Sequence, residues 1–309
     1  MKKKRYLVTG GSGFIGSNIC KLLLELDQEV IVYDNNFRND KNNLESILRD
    51  VTFIKGDIRD KKKLFSAASK VDSVIHLAYI NGTKYFYSKP DLVLDVAIKG
   101  LINIFDACKK FKIREFYLAS SSEVYQTPNK VPTNEKEPLK VPDVYNPRYS
   151  YGAGKIISEL VAINYGKKFF KKMVIFRPHN VYGPNMGNEH VIPELINKFK
   201  KLKNNKIKIQ GSGKEIRSFI HIDDFIQALE LIIKKGKHLN IYNIGTQEKI
   251  TIRNLVKLIS KLIGKNVKIS SSSLMQGSTK IRLPDIKKIK KIGFKQTIDL
   301  HEGIDRLLY

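Results

Sequence analysis

The sequence predicts an α/β protein: a doubly wound parallel sheet followed by a smaller C-terminal α/β lobe. Two observations support this fold class. Short apolar runs alternate with longer helical patterns through residues 1–176. The apolar runs are also continuous, as expected for strands that helices cover on both faces. Such an alternation of strand and helix is typical of doubly wound sheets.

The elements follow in chain order. Strands are predicted at 5–9, 30–33, 51–55, 73–77, 114–119 and 172–176, and helices at 14–26, 61–69, 91–111 and 148–168. Beyond residue 177 we expect helices at 191–203, 223–235, 251–263, 285–291 and 298–308, strands at 207–209 and 240–244, and a polar serine-rich loop at 270–273. Residues 1–176 then form one unit, and residues 177–309 form a smaller lobe partly interleaved with it.

A glycine-rich turn lies between the first strand and the first helix. It contains Gly10, Gly13 and Gly16. Glycines permit a tight turn and let the backbone approach a pyrophosphate. The helix that begins at Phe14 and Ile15 directs its unpaired N–H groups at the anion. Because strand, turn and helix occur in the required order, the motif predicts a dinucleotide site in a Rossmann-type sheet.

The residue at the end of the second strand indicates which dinucleotide binds. Asp34 lies 21 residues after Gly13, close to the spacing of about 20 expected for a ribose-binding acid. A carboxylate there accepts hydrogen bonds from ribose hydroxyls and repels a 2′-phosphate. We therefore expect NAD rather than NADP, although the nearby Arg38 is of the type that accommodates such a phosphate.

A tyrosine and a lysine four residues apart carry the candidate chemistry. On one helix face, the Lys155 ammonium can lie near the Tyr151 phenol. A cation there lowers the tyrosine pKa and makes the phenolate available as a general base. Lys155 can also hydrogen-bond the nicotinamide ribose, and Ser121, at the end of the strand 114–119, can hold the substrate oxygen. Alone, such a pair is usually a surface pair, but the dinucleotide motif before it favours catalysis.

Taken together, these motifs resemble an extended short-chain dehydrogenase/reductase of the sugar-nucleotide epimerase/dehydratase type. The resemblance covers essentially the whole chain. It is carried by residues 10–16, 56–58, 76–78, 120–125, 151–155, 177–184, 217–224 and 282–285. It implies the doubly wound α/β fold, NAD as the cofactor and a nucleotide sugar as the substrate.

The resemblance also implies further contact residues. It assigns to the cofactor Asn35, Asp57, Ile58, Leu77 and Ala78. It assigns to the nucleotide sugar Ser122 and Asn180, and to its diphosphate Arg217 and Arg282. A guanidinium fork suits a diphosphate because it donates two parallel hydrogen bonds.

Two positions bear on how far the resemblance extends. The family usually carries an asparagine three residues before Gly100, where this chain has Ala97. Glu123 follows the serines of the fifth strand, and dehydratases of the family use a glutamate there as the base at C5. A structural hydrogen-bond acceptor and a catalytic base are equally good interpretations of Glu123.

Composition limits the other classes of function. The chain has 309 residues and a net charge of +26, but its lysines are spread over many helix ends. We therefore expect no specific nucleic-acid binding and a polyanionic small substrate. Cys20 and Cys108 fall in apolar helical stretches and predict buried free thiols in a reducing cytoplasm. No metal-ligand spacing and no membrane-spanning run is present in the sequence.

The sequence thus predicts a cytoplasmic, homo-oligomeric enzyme that oxidises C4 of a nucleotide-linked sugar. The resulting 4-keto sugar is released or reduced on its other face as the 4-epimer. One alternative is a 4,6-dehydratase with Glu123 as base, and another is a non-catalytic dinucleotide-sensing protein. Residues 186–193 resemble enzymes of surface-polysaccharide sugars and favour a GDP-linked hexose or heptose.

Overall fold

A seven-stranded parallel sheet forms the centre of the computed structural model, which describes residues 2–38, 41–202, 204–274 and 277–308. From one edge to the other its strands are β11 (Asn240–Ile244), β6 (Lys172–Pro178), β5 (Glu115–Ala119), β4 (Ser73–His76), β1 (Arg5–Thr9), β2 (Glu29–Asp34) and β3 (Thr52–Lys55). The predicted doubly wound sheet is confirmed. The strand order reverses between β1 and β4, where ligands of such sheets bind.

Helices cover both faces of this sheet. They are α1 (Phe14–Glu25), α2 (Lys61–Ala68), α3 (Thr83–Ser88), α4 (Pro90–Asp95), α5 (Leu101–Lys110), α6 (Ser150–Lys168) and α8 (Ile222–Lys235). The single helix predicted at 91–111 consists of α4, a π-helical turn at Val96–Gly100, and α5. Single π-helical turns within α-helices often occur at functional sites.

The smaller lobe contains most of the remaining elements. Its helices are α7 (Val191–Lys200), α9 (Ile252–Ile263) and α11 (Leu300–Asp305), whereas α10 (Lys287–Lys291) packs against β11 of the central sheet. Its short sheets pair β7 (Val181–Tyr182) with β10 (Ile220–His221), β12 (Lys249–Thr251) and β14 (Ile281–Arg282) with β9 (Ile216–Ser218), and β13 (Lys268–Ser272) with β8 (Lys206–Gln210). The predicted end of the helix 191–203, at residue 203, lies outside the described residues.

The serine-rich segment differs from its prediction as a loop. Ser270 and Ser272 belong to β13, which runs parallel to β8. Their hydroxyls donate to backbone carbonyls of β8, Ser270 to Ile207 at 3.4 Å and Ser272 to Ile209 at 3.0 Å. A serine run resembles a turn in sequence because serine favours turns, but here the hydroxyls bond across a two-stranded ribbon.

Two apolar layers hold the helices to the sheet. Phe225 of α8 and Ile19 of α1 belong to one layer, and Phe105 of α5 belongs to the other. Cys20 and Cys108 are buried free thiols within these layers. Both β11 and α8 follow residue 177 in the chain yet pack with the first unit, which interleaves the two parts. The division near residue 176 stays a prediction.

The described residues lack two other kinds of feature. None of the described helices is long and apolar enough to cross a bilayer. Nor does any group of three metal-ligating side chains come together in the described part of the chain.

Candidate active site

A cavity of about 410 Å³ lies at the carboxyl ends of the central strands. Most of the predicted site residues line it, and they come from both units. They are Gly10, Gly13, Phe14, Ile15, Gly16, Asp34, Asn35, Asp57, Ile58, Leu77, Ala78, Ser121, Ser122, Glu123, Tyr151, Lys155, Asn180 and Arg282. Arg217 is not among the lining residues. One cavity therefore joins the predicted cofactor and substrate residues.

The glycine turn forms a backbone cradle within this cavity. Gly10 has a φ of +73°, and a Cβ at this position would lie 2.7 Å from the backbone nitrogen of Ala78. A Cβ on Gly16 would clash with the carbonyl oxygen of Gly10. Side chains at these positions would thus fill the space beside the N-terminus of α1. The cradle fits the pyrophosphate of a dinucleotide.

Asp34 ends β2 at the rim of the cradle. Its carboxylate accepts hydrogen bonds from the backbone N–H groups of Ser12 at 3.1 Å and Asn36 at 2.8 Å. Arg38, the residue that could accept a 2′-phosphate, lies 3.3 Å from a carboxylate oxygen of Glu189. These two side chains therefore fit NAD. Asp34 offers a fixed carboxylate that can accept from ribose hydroxyls, and Arg38 is already paired.

The second pair of predicted cofactor residues is linked by hydrogen bonds. The side-chain amide of Asn35 donates to Asp57 at 3.1 Å. Arg59 also binds Asp57, at 2.8 Å, and its hydrogen bond holds the pKa of this carboxyl below its usual range. Asp57 is therefore an ionised, fixed acceptor at the edge of the cavity.

Asp34→Asn should weaken NAD binding by about 10- to 100-fold and reduce the preference for NAD over NADP. The variant removes a charged acceptor, and hydrogen bonds to charged groups contribute about 1.5–3 kcal/mol. Calorimetry with both cofactors measures the change. Asp27→Asn is the matched control, since the Asp27 side chain is 87% exposed in the turn before β2. Equal affinity of the unaltered protein for NAD and NADP would contradict the assignment.

Tyr151 lies in the first turn of α6 with its ring buried among aromatic residues. The ring stacks on Phe86 with centroids 4.9 Å apart and meets the edge of Tyr79 at 5.1 Å. Burial raises the pKa of Tyr151 to about 12, and the hydrogen bond from the Ser121 hydroxyl acts in the opposite direction. The structure therefore joins the predicted base to the predicted substrate-orienting serine.

Lys155 lies one turn further along α6 and is buried. Its ammonium donates to the carbonyl oxygen of Ala119, the last residue of β5, at 2.7 Å, and lies 5.8 Å from the centroid of the Tyr151 ring. Burial lowers the pKa of Lys155 to about 7, which Glu159 partly offsets. The sequence predicts that Lys155 lowers the pKa of Tyr151. In the structure burial has the larger effect on the phenol, and the ammonium binds the strand end.

Glu123 contacts arginines rather than open solvent. Its Oε1 lies 3.0 Å from Arg282 Nη1 and 3.9 Å from Arg148 Nη2. Burial raises the pKa of Glu123, but Arg282, Arg148 and Arg217 together lower it further, so it lies below its usual value. Glu123 is thus an ionised, paired carboxylate. A proton acceptor stabilised in this way is a weak base.

Two further predicted substrate residues have fixed side chains. Asn180 has a φ of +43°, and its amide donates to the carbonyl of Ser218 at 2.8 Å. The Arg217 guanidinium donates to the carbonyl oxygens of Thr279 at 2.7 Å and Ile216 at 2.8 Å. Arg217 is therefore oriented by backbone groups behind the lining, beside the charge cluster at Glu123.

The sequence did not reveal a buried network behind the catalytic helix. Glu159 of α6 binds Arg177 of β6 through two hydrogen bonds, at 2.5 and 2.8 Å. The Ser120 hydroxyl donates to the same carboxylate at 2.5 Å, and Arg177 donates to the Tyr125 hydroxyl at 2.6 Å. The network joins α6 to the ends of β5 and β6. Glu159, eight residues after Tyr151, carries no distinctive sequence signal. The same is true of Arg148, which contacts Glu123.

Comparisons with known proteins agree with this geometry. The family model "NAD dependent epimerase/dehydratase family" matches residues 6–245. The chain is 34% identical over 307 residues to a putative UDP-glucose 4-epimerase of Methanocaldococcus jannaschii, covering 98% of this chain and 96% of that protein. It is 32% identical over 270 residues to dTDP-D-glucose 4,6-dehydratase of Dictyostelium discoideum, covering 83% of this chain but only 61% of that longer protein.

A solved structure gives the same fold over nearly the whole chain. DesIV, a dTDP-glucose 4,6-dehydratase from Streptomyces venezuelae solved with NAD bound, superimposes with a TM-score of 0.90 at 25% identity. The match covers 98% of this chain and 95% of that one. A doubly wound fold with a dinucleotide cradle and a Tyr-x-x-x-Lys helix defines an NAD-dependent short-chain dehydrogenase/reductase. The chain belongs to the NAD-dependent epimerase/dehydratase family and is an NAD-dependent enzyme.

Proposed function

We propose that the protein oxidises the C4 hydroxyl of a nucleotide-linked sugar, as a 4-dehydrogenase or as a 4-epimerase that acts through a 4-keto sugar. The observation that carries the proposal is the cavity lining, which combines Ser121, Tyr151 and Lys155 with the glycine cradle. The cradle and Asp34 would hold NAD, which would supply the hydride acceptor. The named relatives, a UDP-glucose 4-epimerase and dTDP-glucose 4,6-dehydratases, support a nucleotide-sugar substrate.

In the proposed reaction, the contacts of each side chain suggest its role. In its ionised form Tyr151 accepts the proton of the C4 hydroxyl, and Ser121 orients the oxygen that loses it. Lys155 contributes a cation near Tyr151 and would hydrogen-bond the nicotinamide ribose of the cofactor. The arginines around Glu123, with Asn180, are suited to hold the nucleotide diphosphate, because guanidinium groups bind phosphate oxygens in pairs.

The alternative reaction, 4,6-dehydration, has support from the dehydratases named above. It needs a base at C5 and an acid for the C6 hydroxyl. Glu123 is the available base, but Arg282 and Arg148 hold it ionised and paired. Its neighbour Ser122 has an alcohol that donates a proton slowly at neutral pH. We therefore favour a reaction that retains the oxygen of the sugar.

A panel of nucleotide sugars tests the reaction. The protein is incubated with UDP-, dTDP- and GDP-linked hexoses and a GDP-linked heptose, while NADH absorbance and product masses are followed. Our preferred substrate is a GDP-linked hexose or heptose for surface polysaccharide. A product two mass units lighter with NADH accumulation indicates a dehydrogenase, and an isomer of unchanged mass indicates an epimerase. No turnover of any sugar nucleotide would contradict the proposal.

Glu123→Gln should lower turnover without changing the product mass. The variant keeps the shape of the side chain but removes the charge that Arg282 and Arg148 neutralise, so binding is disturbed while oxidation at C4 proceeds. Mass spectrometry of the product measures the outcome. Glu194→Gln, on the exposed side of α7, is the control. A wild-type product that has lost one water, and a Glu123→Gln variant that makes none, would establish the dehydratase instead.

We propose that the protein is a homodimer or higher homo-oligomer and acts in the cytoplasm. Light scattering after size-exclusion chromatography tests the first point, and fractionation of the source cell tests the second. A monomer at micromolar concentration would contradict the assembly.

A further inference from the structure

An aromatic residue that the proposed reaction does not use, Tyr79, lies beside Ala97, the position at which the family usually has an asparagine. Ala97 lies in the π-helical turn at Val96–Gly100. A Cβ on Gly154, the residue before Lys155, would meet the Ala97 Cβ at 3.0 Å and would clash with the hydroxyl of Tyr79. Two small residues thus make the space that the Tyr79 phenol fills.

The Tyr79 ring faces the ammonium of Lys155. The Nζ of Lys155 lies 3.9 Å from the ring centroid and also donates to the Ala119 carbonyl at 2.7 Å. The ring edge also meets the Tyr151 ring at 5.1 Å. The Tyr79 hydroxyl is buried and has no hydrogen-bond partner among the described residues. The contact that engages Tyr79 with the lysine is therefore the face of its ring.

We infer that Tyr79 is a positioning residue for Lys155: its ring face holds the ammonium in place and stabilises its charge. A cation over a desolvated aromatic ring is attracted by the negative face of the ring. The inference rests on this packing, and only its relevance to turnover rests on the proposed function. Tyr79 is not assigned a contact with substrate.

Other titratable and charged groups around Lys155 also affect its pKa. Those on its own helix are Tyr151 and Glu159, and from the packed strands come His76 of β4 and Arg177 of β6, which is paired with Glu159. Burial lowers the pKa of His76 to about 3, so this ring is neutral when Lys155 titrates. Glu159 is the anion that favours the ammonium, and the ring of Tyr79, in the segment after β4, adds to this effect.

Variants of Tyr79 separate the ring from the hydroxyl. Tyr79→Phe keeps the face and removes the hydroxyl, whereas Tyr79→Leu keeps an apolar side chain without a π face. The pH dependence of acetylation of Lys155 by acetic anhydride, read by peptide mass spectrometry, reports its pKa without any turnover. We expect Tyr79→Phe to titrate like the unaltered protein and Tyr79→Leu to titrate lower by roughly 0.4 to 1.5 pH units.

Gly154 provides an independent test by displacing the ring. Gly154→Ala introduces a methyl group where the Tyr79 hydroxyl lies, so the pKa of Lys155 should fall as in Tyr79→Leu. The double variant Gly154→Ala/Tyr79→Phe removes the clashing hydroxyl and should restore the wild-type titration. Thermal melting identifies any variant that is unfolded, and the Tyr79→Phe background supplies the folded comparison.

The outcomes separate this inference from the proposed reaction. Equal Lys155 titrations in Tyr79→Leu and Tyr79→Phe, or a higher pKa in Tyr79→Leu, would overturn it, because burial by Tyr79 would then outweigh any attraction. A Gly154→Ala effect that the second substitution leaves unchanged would also overturn it. Failure of every nucleotide sugar to react would contradict the proposed function but leave the Lys155 titration intact.

Discussion

Tyr151→Phe should lower kcat by about 10²- to 10⁴-fold, the usual loss when a general base is removed. The change deletes the phenol oxygen to which the proposed mechanism assigns the proton of the sugar hydroxyl. The ring remains stacked on Phe86 and against Tyr79, so we expect the melting temperature and the NAD affinity to change little. Single-turnover kinetics with a reacting nucleotide sugar measures the loss at the chemical step.

A second tyrosine serves as the control. Tyr145 lies six residues earlier and is 93% exposed, so Tyr145→Phe removes the same atom outside the cavity and should retain full activity. A Tyr151→Phe variant with near wild-type kcat would show that another group accepts the proton. A variant that fails to bind NAD would instead indicate a collapsed site, and calorimetry distinguishes the two results.

The sequence was informative about the fold where a local pattern determines it. The glycine turn requires a backbone without side chains, and the structure shows that a Cβ on Gly10 or Gly16 would meet backbone atoms. The buried strands are continuous apolar runs, so their positions agree with the prediction to within two residues. The π-helical turn at Val96–Gly100 and the strand at Lys268–Ser272 were not foreseen. Both depend on contacts with segments distant in the chain.

The site residues likewise differ in whether a local sequence pattern or a contact between distant segments identifies them. Tyr151 and Lys155 were predicted from their spacing together with the dinucleotide motif before them, and both line the cavity. Arg148 was not found, because its contact with Glu123 forms only when the turn before α6 packs beside the end of β5. The direction of the Tyr151 pKa shift was also wrong, since spacing does not show how fully neighbouring rings exclude water from a phenol.

Glu159→Gln should lower the free energy of unfolding by about 3–5 kcal/mol, the range expected when one member of a buried ion pair is removed. Glu159 and Arg177 are each only 2% exposed at their side chains and share two hydrogen bonds. The variant leaves the Arg177 guanidinium charged and buried, while the Ser120 hydroxyl keeps a neutral acceptor. Urea titration monitored by circular dichroism measures the change.

Matched variants show whether burial causes this loss. Glu230 and Lys234 form the same kind of pair, one turn apart on the surface of α8, and Glu230→Gln should cost no more than about 0.5 kcal/mol because exposed pairs are screened by water. The double variant Glu159→Leu/Arg177→Met removes both buried charges and should be more stable than Glu159→Gln, since no unpaired ion remains. A Glu159→Gln loss no larger than that of Glu230→Gln would mean that water or another acceptor reaches Arg177. The network could then not be what fixes α6, with Tyr151 and Lys155, against the ends of β5 and β6.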